Sequence, residues 1–271
     1  MQTVLLPSGA RIAYDDLGPR SEVPVLLVHG HPFDRSMWGP QAEHLARNGR
    51  RVVVPDLRGY GESTGPAVRG LEDFAEDLVG LADHLGIDRF ALGGLSMGGQ
   101  IVMQTVRDYP ERIAALLLAD TFAEPETDEG KVSRNQAADR VLAEGMTAYA
   151  DELLPKMVSP GTFRENPEVT AHVRKMMRHA PATGAAAALR ARAKRPDYRD
   201  SLKQVSVPTL VAVGSEDEFT PVSDAQLLHR LVPGSELVVL DGAGHLPNLE
   251  RAAEFNDVFG RFLDQDHAEE R

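Results

Sequence analysis

Ser96 stands in Gly94-Leu95-Ser96-Met97-Gly98, between a β-compatible run from Phe90 and an apolar-periodic helical segment from Gln100 to Tyr109. In a Gly-x-Ser-x-Gly turn the serine adopts a strained backbone, and the flanking glycines remove side chains that would collide with the neighbouring strand and helix. The hydroxyl is left at the carboxyl end of a sheet, beside the free N–H groups and positive dipole end of a helix, which favour an oxyanion. A serine hydroxyl is a poor nucleophile until a positioned base takes its proton, so the turn calls for an imidazole and a carboxylate further along. His245 in Gly242-Ala243-Gly244-His245 and Asp217 in Gly214-Ser215-Glu216-Asp217 each follow a predicted strand directly. Ser96 would attack a carbonyl, His245 would act as base and then acid, and Asp217 would fix the imidazole tautomer. Met97 N–H is the expected first oxyanion donor. The second is expected from the loop after Val28, at Phe33, because Pro32 has no N–H to give.

The elements that must position these groups alternate. Val4 to Leu6 and Arg11 to Leu17 read as an edge hairpin around Pro7-Ser8-Gly9; Val23 to Val28, Arg51 to Pro55 and Ile113 to Leu118 read as buried strands. Helices are predicted from Trp38 to Asn48 and from Leu71 to Leu85, the latter with acidic residues early and Gly86 at its end. This alternation implies an α/β fold with a mostly parallel twisted sheet and helices on both faces. From Thr121 to about Ser201 the rhythm breaks into helical segments only: Asn135 to Glu144, Ala148 to Met157, Glu168 to Arg178 and Thr183 to Lys194. The sheet resumes with Val207 to Val213 and Glu236 to Leu240, with helices from Pro221 to Leu231 and Pro247 to Leu263. The expected organisation is a core of 1–120 and 202–264, a helical insertion of 121–201 and a flexible tail of 265–271.

Composition bounds the function. The chain has 271 residues, no cysteine and a net charge of −12. It can bury a large core, offers neither disulfides nor thiolate ligands, and presents a field that repels nucleic acid. The same field gives no steering to an anionic substrate, and the basic cluster Arg190, Arg192, Lys194, Arg195 and Arg199 reads as a solvated helix face. No secretory signal and no run long enough to cross a bilayer is visible, so a cytoplasmic location is expected. The histidines are scattered and the glycine turn lacks a phosphate-loop lysine, so neither metal nor cofactor is expected.

Six motifs, in order, carry a resemblance: His29-Gly30-x-Pro32-Phe33, Asp56-Leu57-Arg58-Gly59-x-Gly61-x-Ser63, Gly94 to Gly99, Leu118-Ala119-Asp120-Thr121, Gly214-x-x-Asp217-x-x-x-Pro221 and Gly242-x-Gly244-His245. On these the chain resembles the α/β-hydrolase family, and within it small cofactor-free carboxylesterases and 3-oxoadipate enol-lactonase-like hydrolases. The resemblance implies that the helical insertion is a lid over a pocket for a small ester or lactone. His31, Phe122, Met146, Met157, Phe219 and Leu246 are its candidate lining residues, and Asp120 is a second candidate for the triad acid. The same triad could serve perhydrolysis, carbon–carbon bond hydrolysis or acyl transfer, and the scaffold could serve as a ligand receptor. The sequence leaves the physiological substrate and the oligomeric state open.

Overall fold

The computed structural model describes residues 1–265. Eight strands form one sheet: β1 (Gln2–Leu5), β2 (Arg11–Leu17), β3 (Val25–Val28), β4 (Val52–Pro55), β5 (Phe90–Leu95), β6 (Ile113–Ala119), β7 (Thr209–Gly214) and β8 (Glu236–Leu240). Their order is β1-β2-β4-β3-β5-β6-β7-β8. The β1 and β2 hairpin runs antiparallel at one edge, and every pairing from β4 to β8 is parallel. The mostly parallel sheet expected from the sequence is therefore present.

Strands β3 to β7 are buried throughout, as their unbroken apolar runs require, whereas the edge strand β8 is partly exposed. Side-chain alternation divides the core in two. Leu26, Val28, Leu92, Leu116 and Leu118 pack on one face with Phe74 of α2 (Leu71–His84) and Ile101 of α3 (Met97–Asp108). Val25, Leu27, Ala91, Ala115 and Leu117 pack on the other with Leu45 of α1 (Gly39–Arg47) and residues of the C-terminal helix. The single helix expected there is broken at Arg251 into α11 (Pro247–Glu250) and α12 (Ala252–Gln265). Trp38 packs in this second layer against Phe255. Of the expected tail, Gln265 ends α12, and 266–271 lie outside the described residues.

Between β6 and β7 the described chain is helical: α4 (Asp128–Glu144), α5 (Met146–Met157), α6 (Pro160–Glu165), α7 (Pro167–His179), α8 (Ala182–Ala193) and α9 (Arg199–Leu202). Its two stems meet where Tyr198 N–H donates to the Ala123 carbonyl at 3.0 Å. After β8 comes the loop bearing His245, and α10 (Val222–Leu231) links β7 to β8. Among the described residues no helix is long and apolar enough to cross a membrane.

Candidate active site

Ser96 joins β5 to α3 with φ 58° and ψ −115°, a conformation that side-chain-bearing residues rarely adopt. Such strain costs on the order of 1–3 kcal/mol and persists only where the surroundings over-determine it. They do so here. Ser96 N–H donates to Ala119 O at 2.9 Å, and Ser96 O accepts from Gln100 N–H at 3.1 Å and from the Thr121 hydroxyl at 2.8 Å. The turn also approaches β3 so closely that a Cβ on Gly98 would lie 2.2 Å from the Val28 carbonyl oxygen.

The loops after β7 and β8 bring Asp217 to His245, with Asp217 Oδ2 at 2.8 Å from His245 Nδ1. An Nδ1–H donated to the carboxylate leaves the lone pair on Nε2. Asp217 Oδ1 accepts from the Phe219 and Thr220 N–H groups at 2.8 and 3.2 Å, and its Oδ2 also accepts the Thr220 hydroxyl. Burial pushes this carboxyl up, but the His245 charge and these donors outweigh it and hold it below the usual aspartate range. Glu250 fixes the histidine loop by accepting the Gly244 N–H at 2.9 Å and the Leu246 N–H at 3.2 Å.

Ser96 and His245 open onto the same cavity. Among the described residues no hydrogen bond joins Ser96 Oγ to the imidazole; in empty sites such contacts are often long and tighten when substrate arrives.

Asp120 lies against this pair, with ligating atoms of Asp120, Asp217 and His245 all within 4.8 Å of one another. It makes no hydrogen bond to His245 among those formed by the described residues. Its Oδ1 accepts the Gly214 N–H at 2.9 Å, and burial followed by the Asp217 charge raises its pKa well above the ordinary value. The two carboxyls are thus pushed in opposite directions, Asp120 toward its neutral form and Asp217 toward its charged form. Donors are already aimed at both Asp217 oxygens and at Asp120 Oδ1, which suits an imidazole–carboxylate pair, while Asp120 Oδ2 is buried without a partner among the described residues.

The loop after β3 departs from expectation at one atom. Phe33 N–H closes a turn on Gly30 O at 3.1 Å, and the Phe33 side chain is buried in the core. It is not free to meet an oxyanion. The His31 amide, by contrast, makes no hydrogen bond among the described residues, and His31 lines the cavity beside Ser96. The His31 ring is clamped between Tyr60, with Nδ1 to Oη 2.7 Å, and Tyr149 of α5, with Nε2 to Oη 3.1 Å. Burial, then the charges of Arg192 and Arg134, lower its pKa, so one tyrosine donates to a neutral ring and the other accepts from it. His29 is structural, with Nδ1 at 2.8 Å from Gly30 O and Nε2 accepting Leu57 N–H at 2.9 Å. Asp56 accepts the backbone N–H groups of Arg35 and Glu62, and Arg58 forms a buried bidentate pair with Asp77.

The cavity has a volume of about 740 Å³. Of the expected lining residues, His31, Phe122, Met157 and Phe219 face it, but Met146 and Leu246 do not. Met146 begins α5 on its inward face and joins the core with Tyr149, and Leu246 is fully buried in the layer under the histidine loop.

The sequence reading missed a polar wall. Arg134 pairs with Glu126, and Arg140 with Glu152 at 2.6 Å. The cluster read as a solvated helix face is divided: Lys194 and Arg199 are exposed, but Arg192 and Arg195 are buried. The periodicity carried the signal, because Ala185, Ala188, Leu189 and Arg192 fall at helical spacing on one buried stripe of α8.

Burial raises the Glu126 pKa, but hydrogen bonds and charges from Arg195 and Arg134 outweigh it and bring it to about 2 from 4.5. A depressed folded pKa stabilises above the unfolded value and is lost as pH falls through the folded one. The difference in melting temperature between wild type and Glu126→Gln should therefore be constant above about pH 5 and shrink toward pH 2, as thermal melts across that range would record.

The family model for the alpha/beta hydrolase fold matches residues 23–252. A thermophilic esterase from Thermogutta terrifontis superposes with a TM-score of 0.95 at 42% identity, over 98% of this chain and 100% of that one. The enol-lactonase from Burkholderia xenovorans superposes at 0.89 with 30% identity, over 97% of this chain and 100% of that one. 3-Oxoadipate enol-lactonase 1 of Acinetobacter baylyi is 28% identical across 91% of this chain and 90% of its own length. With the serine turn, the strand order and the matched span in agreement, the chain belongs to the α/β-hydrolase fold family.

Proposed function

We propose that the protein is a carboxylic ester hydrolase that cleaves an ester or lactone through an acyl-enzyme on Ser96. The observation that carries this reading is the His245–Asp217 pair opening onto the same cavity as a serine held at a strained strand-to-helix turn. Relatives named as esterase and enol-lactonase support the bond type.

In this reading His245 Nε2 takes the Ser96 proton as Oγ attacks the carbonyl carbon. Asp217 holds the imidazole tautomer and stabilises the imidazolium that forms. The tetrahedral oxyanion is received by Met97 N–H, which has no intrahelical acceptor in the first turn of α3, and by the His31 amide in place of Phe33. Removing one such donor costs about 3–4 kcal/mol of barrier. His245 then gives its proton to the leaving alkoxide, which departs from an ester and stays tethered in a lactone. Water, deprotonated by the same imidazole, releases the acid and restores Ser96. The helices of 121–201 serve as the lid, since α4, α5 and α8 contribute cavity lining.

The test is labelling with a fluorophosphonate probe and peptide mass spectrometry, alongside turnover of a panel of short-chain esters and lactones. A probe adduct on Ser96 that abolishes multiple turnover is expected. Sustained ester hydrolysis by fully labelled protein, or a single stoichiometric turnover, would rule the reading out.

A further inference from the structure

Among the charged residues of the cavity wall Arg192 differs from the rest. Arg134 and Arg140 have carboxylate partners in Glu126 and Glu152, and Arg195, behind the wall, shares Glu126 at 2.8 Å. Arg192 has none. It is only 8% exposed, it lines the cavity with Ser96, and its sole side-chain hydrogen bond among the described residues runs from Nε to Gln100 Oε1 at 3.1 Å. The terminal amino groups are not among the sealed unpaired atoms of the interior, so they reach the cavity.

A guanidinium keeps its proton at neutral pH, and an unpaired buried charge is costly. Burial, then the like charges of Arg134 and Arg195, lower the Arg192 pKa from the usual arginine value, as expected of a guanidinium with no carboxylate beside it. The position is also specific. Gln100, which anchors Nε, lies one turn along α3 from Ser96 and donates its N–H to the Ser96 carbonyl. The backbones of Gln100 and Ser96 therefore stand one turn, about 5–6 Å, apart along α3.

We infer that Arg192 is a substrate-binding residue, its free Nη1 and Nη2 edge taking a carboxylate, so that the preferred ester or lactone carries a carboxylate a short chain away from the bond that is cleaved. This rests on the ester hydrolase reading and names its substrate class. The two-donor edge matches the two oxygens of a carboxylate. The overall charge of −12 opposes long-range capture of such a substrate, so the discrimination acts within the cavity.

The experiment compares kcat/KM for monomethyl glutarate and dimethyl glutarate, which differ at one end only. Wild type should prefer the anionic monoester. In Arg192→Met that preference ratio should fall about 100-fold, and in Arg192→Lys, which keeps the charge but loses the planar fork, about 10-fold. An unchanged ratio in Arg192→Met, or a wild type that favours the neutral diester, overturns the inference while leaving the hydrolase reading intact.

Calorimetric titration of wild type with glutarate, glutaramide and inorganic phosphate needs neither a variant nor turnover. Glutarate binding at least tenfold tighter than either of the others supports the assignment. Equal binding of glutaramide or phosphate, or no glutarate binding, overturns it. Absence of turnover on both esters would count against the hydrolase reading alone, because the titration still reports on Arg192.

Discussion

Ser96→Ala lowers kcat by about 10⁴- to 10⁶-fold on any ester the wild type turns over, and His245→Ala does nearly the same. The two losses do not add, because a nucleophile without its base and a base without its nucleophile fail at the same step. In the proposed mechanism what remains is the contribution of the Met97 and His31 amides and of substrate binding. Steady-state and single-turnover kinetics of the two single variants and the double variant check this. The double variant should be no slower than the worse single one by more than a few-fold. Ser96 Oγ donates no hydrogen bond among the described residues, so thermal stability of Ser96→Ala should stay close to that of wild type. A variant that keeps more than a hundredth of wild-type kcat would remove Ser96 from the nucleophile's place.

The second large effect is on the fold. Gly98→Ala places a methyl group 2.2 Å from the Val28 carbonyl oxygen and 2.9 Å from that of His29, and both obstacles are backbone, at the end of β3 and at the start of the loop after it. Neither can turn aside as a side chain would. The variant should lose about 3–4 kcal/mol, which for a chain of this size is roughly 6–15 °C in melting temperature. Gly39→Ala is the matched control. Gly39 opens α1 at φ −48° with nothing within 4 Å of the added methyl, so that variant should melt within a degree or two of wild type or slightly above it. Equal melting temperatures for the two variants would show that the approach of α3 to β3 is looser than described. Ester turnover by Gly98→Ala should fall as well, since the displaced turn carries Ser96 and Met97.

What was legible in the sequence follows from which forces act locally. The parallel strands declare themselves as unbroken runs such as Ile113 to Ala119, because a strand covered on both faces has no polar side to show. The shared location of Ser96, Asp217 and His245 could be read because each lies in the loop after a strand, and residues at strand ends share one edge of a parallel sheet. Phe33 was misplaced for a reason no spacing rule contains. Its amide is used by the turn to Gly30, and that bond is visible only once the loop is folded. Met146 and Leu246 were misread because apolar character does not say which apolar surface a side chain meets. Arg192 is the opposite case, a charged residue at an apolar phase of α8 whose position was legible but whose partnerless burial depends on helices far apart in the chain. The break at Arg251 in the last helix likewise had no proline or glycine to announce it.

The bond from Tyr198 N–H to Ala123 O has a bearing on ancestry and engineering. The segment from 124 to 197 leaves the sheet and returns to it at adjacent points, like a loop of thread drawn through one stitch. The register of β6 on β7, Leu116 to Ala119 against Thr209 to Ala212, lies on the sheet side of that stitch, while Ala138, Val141, Ala185 and Leu189 of the loop share the core with Leu92 and Leu118. An exchanged cap would have to replace threads that cross the seam, from Tyr149 to the His31 ring, from Arg192 to Gln100 and from the Ser159 amide to Glu250.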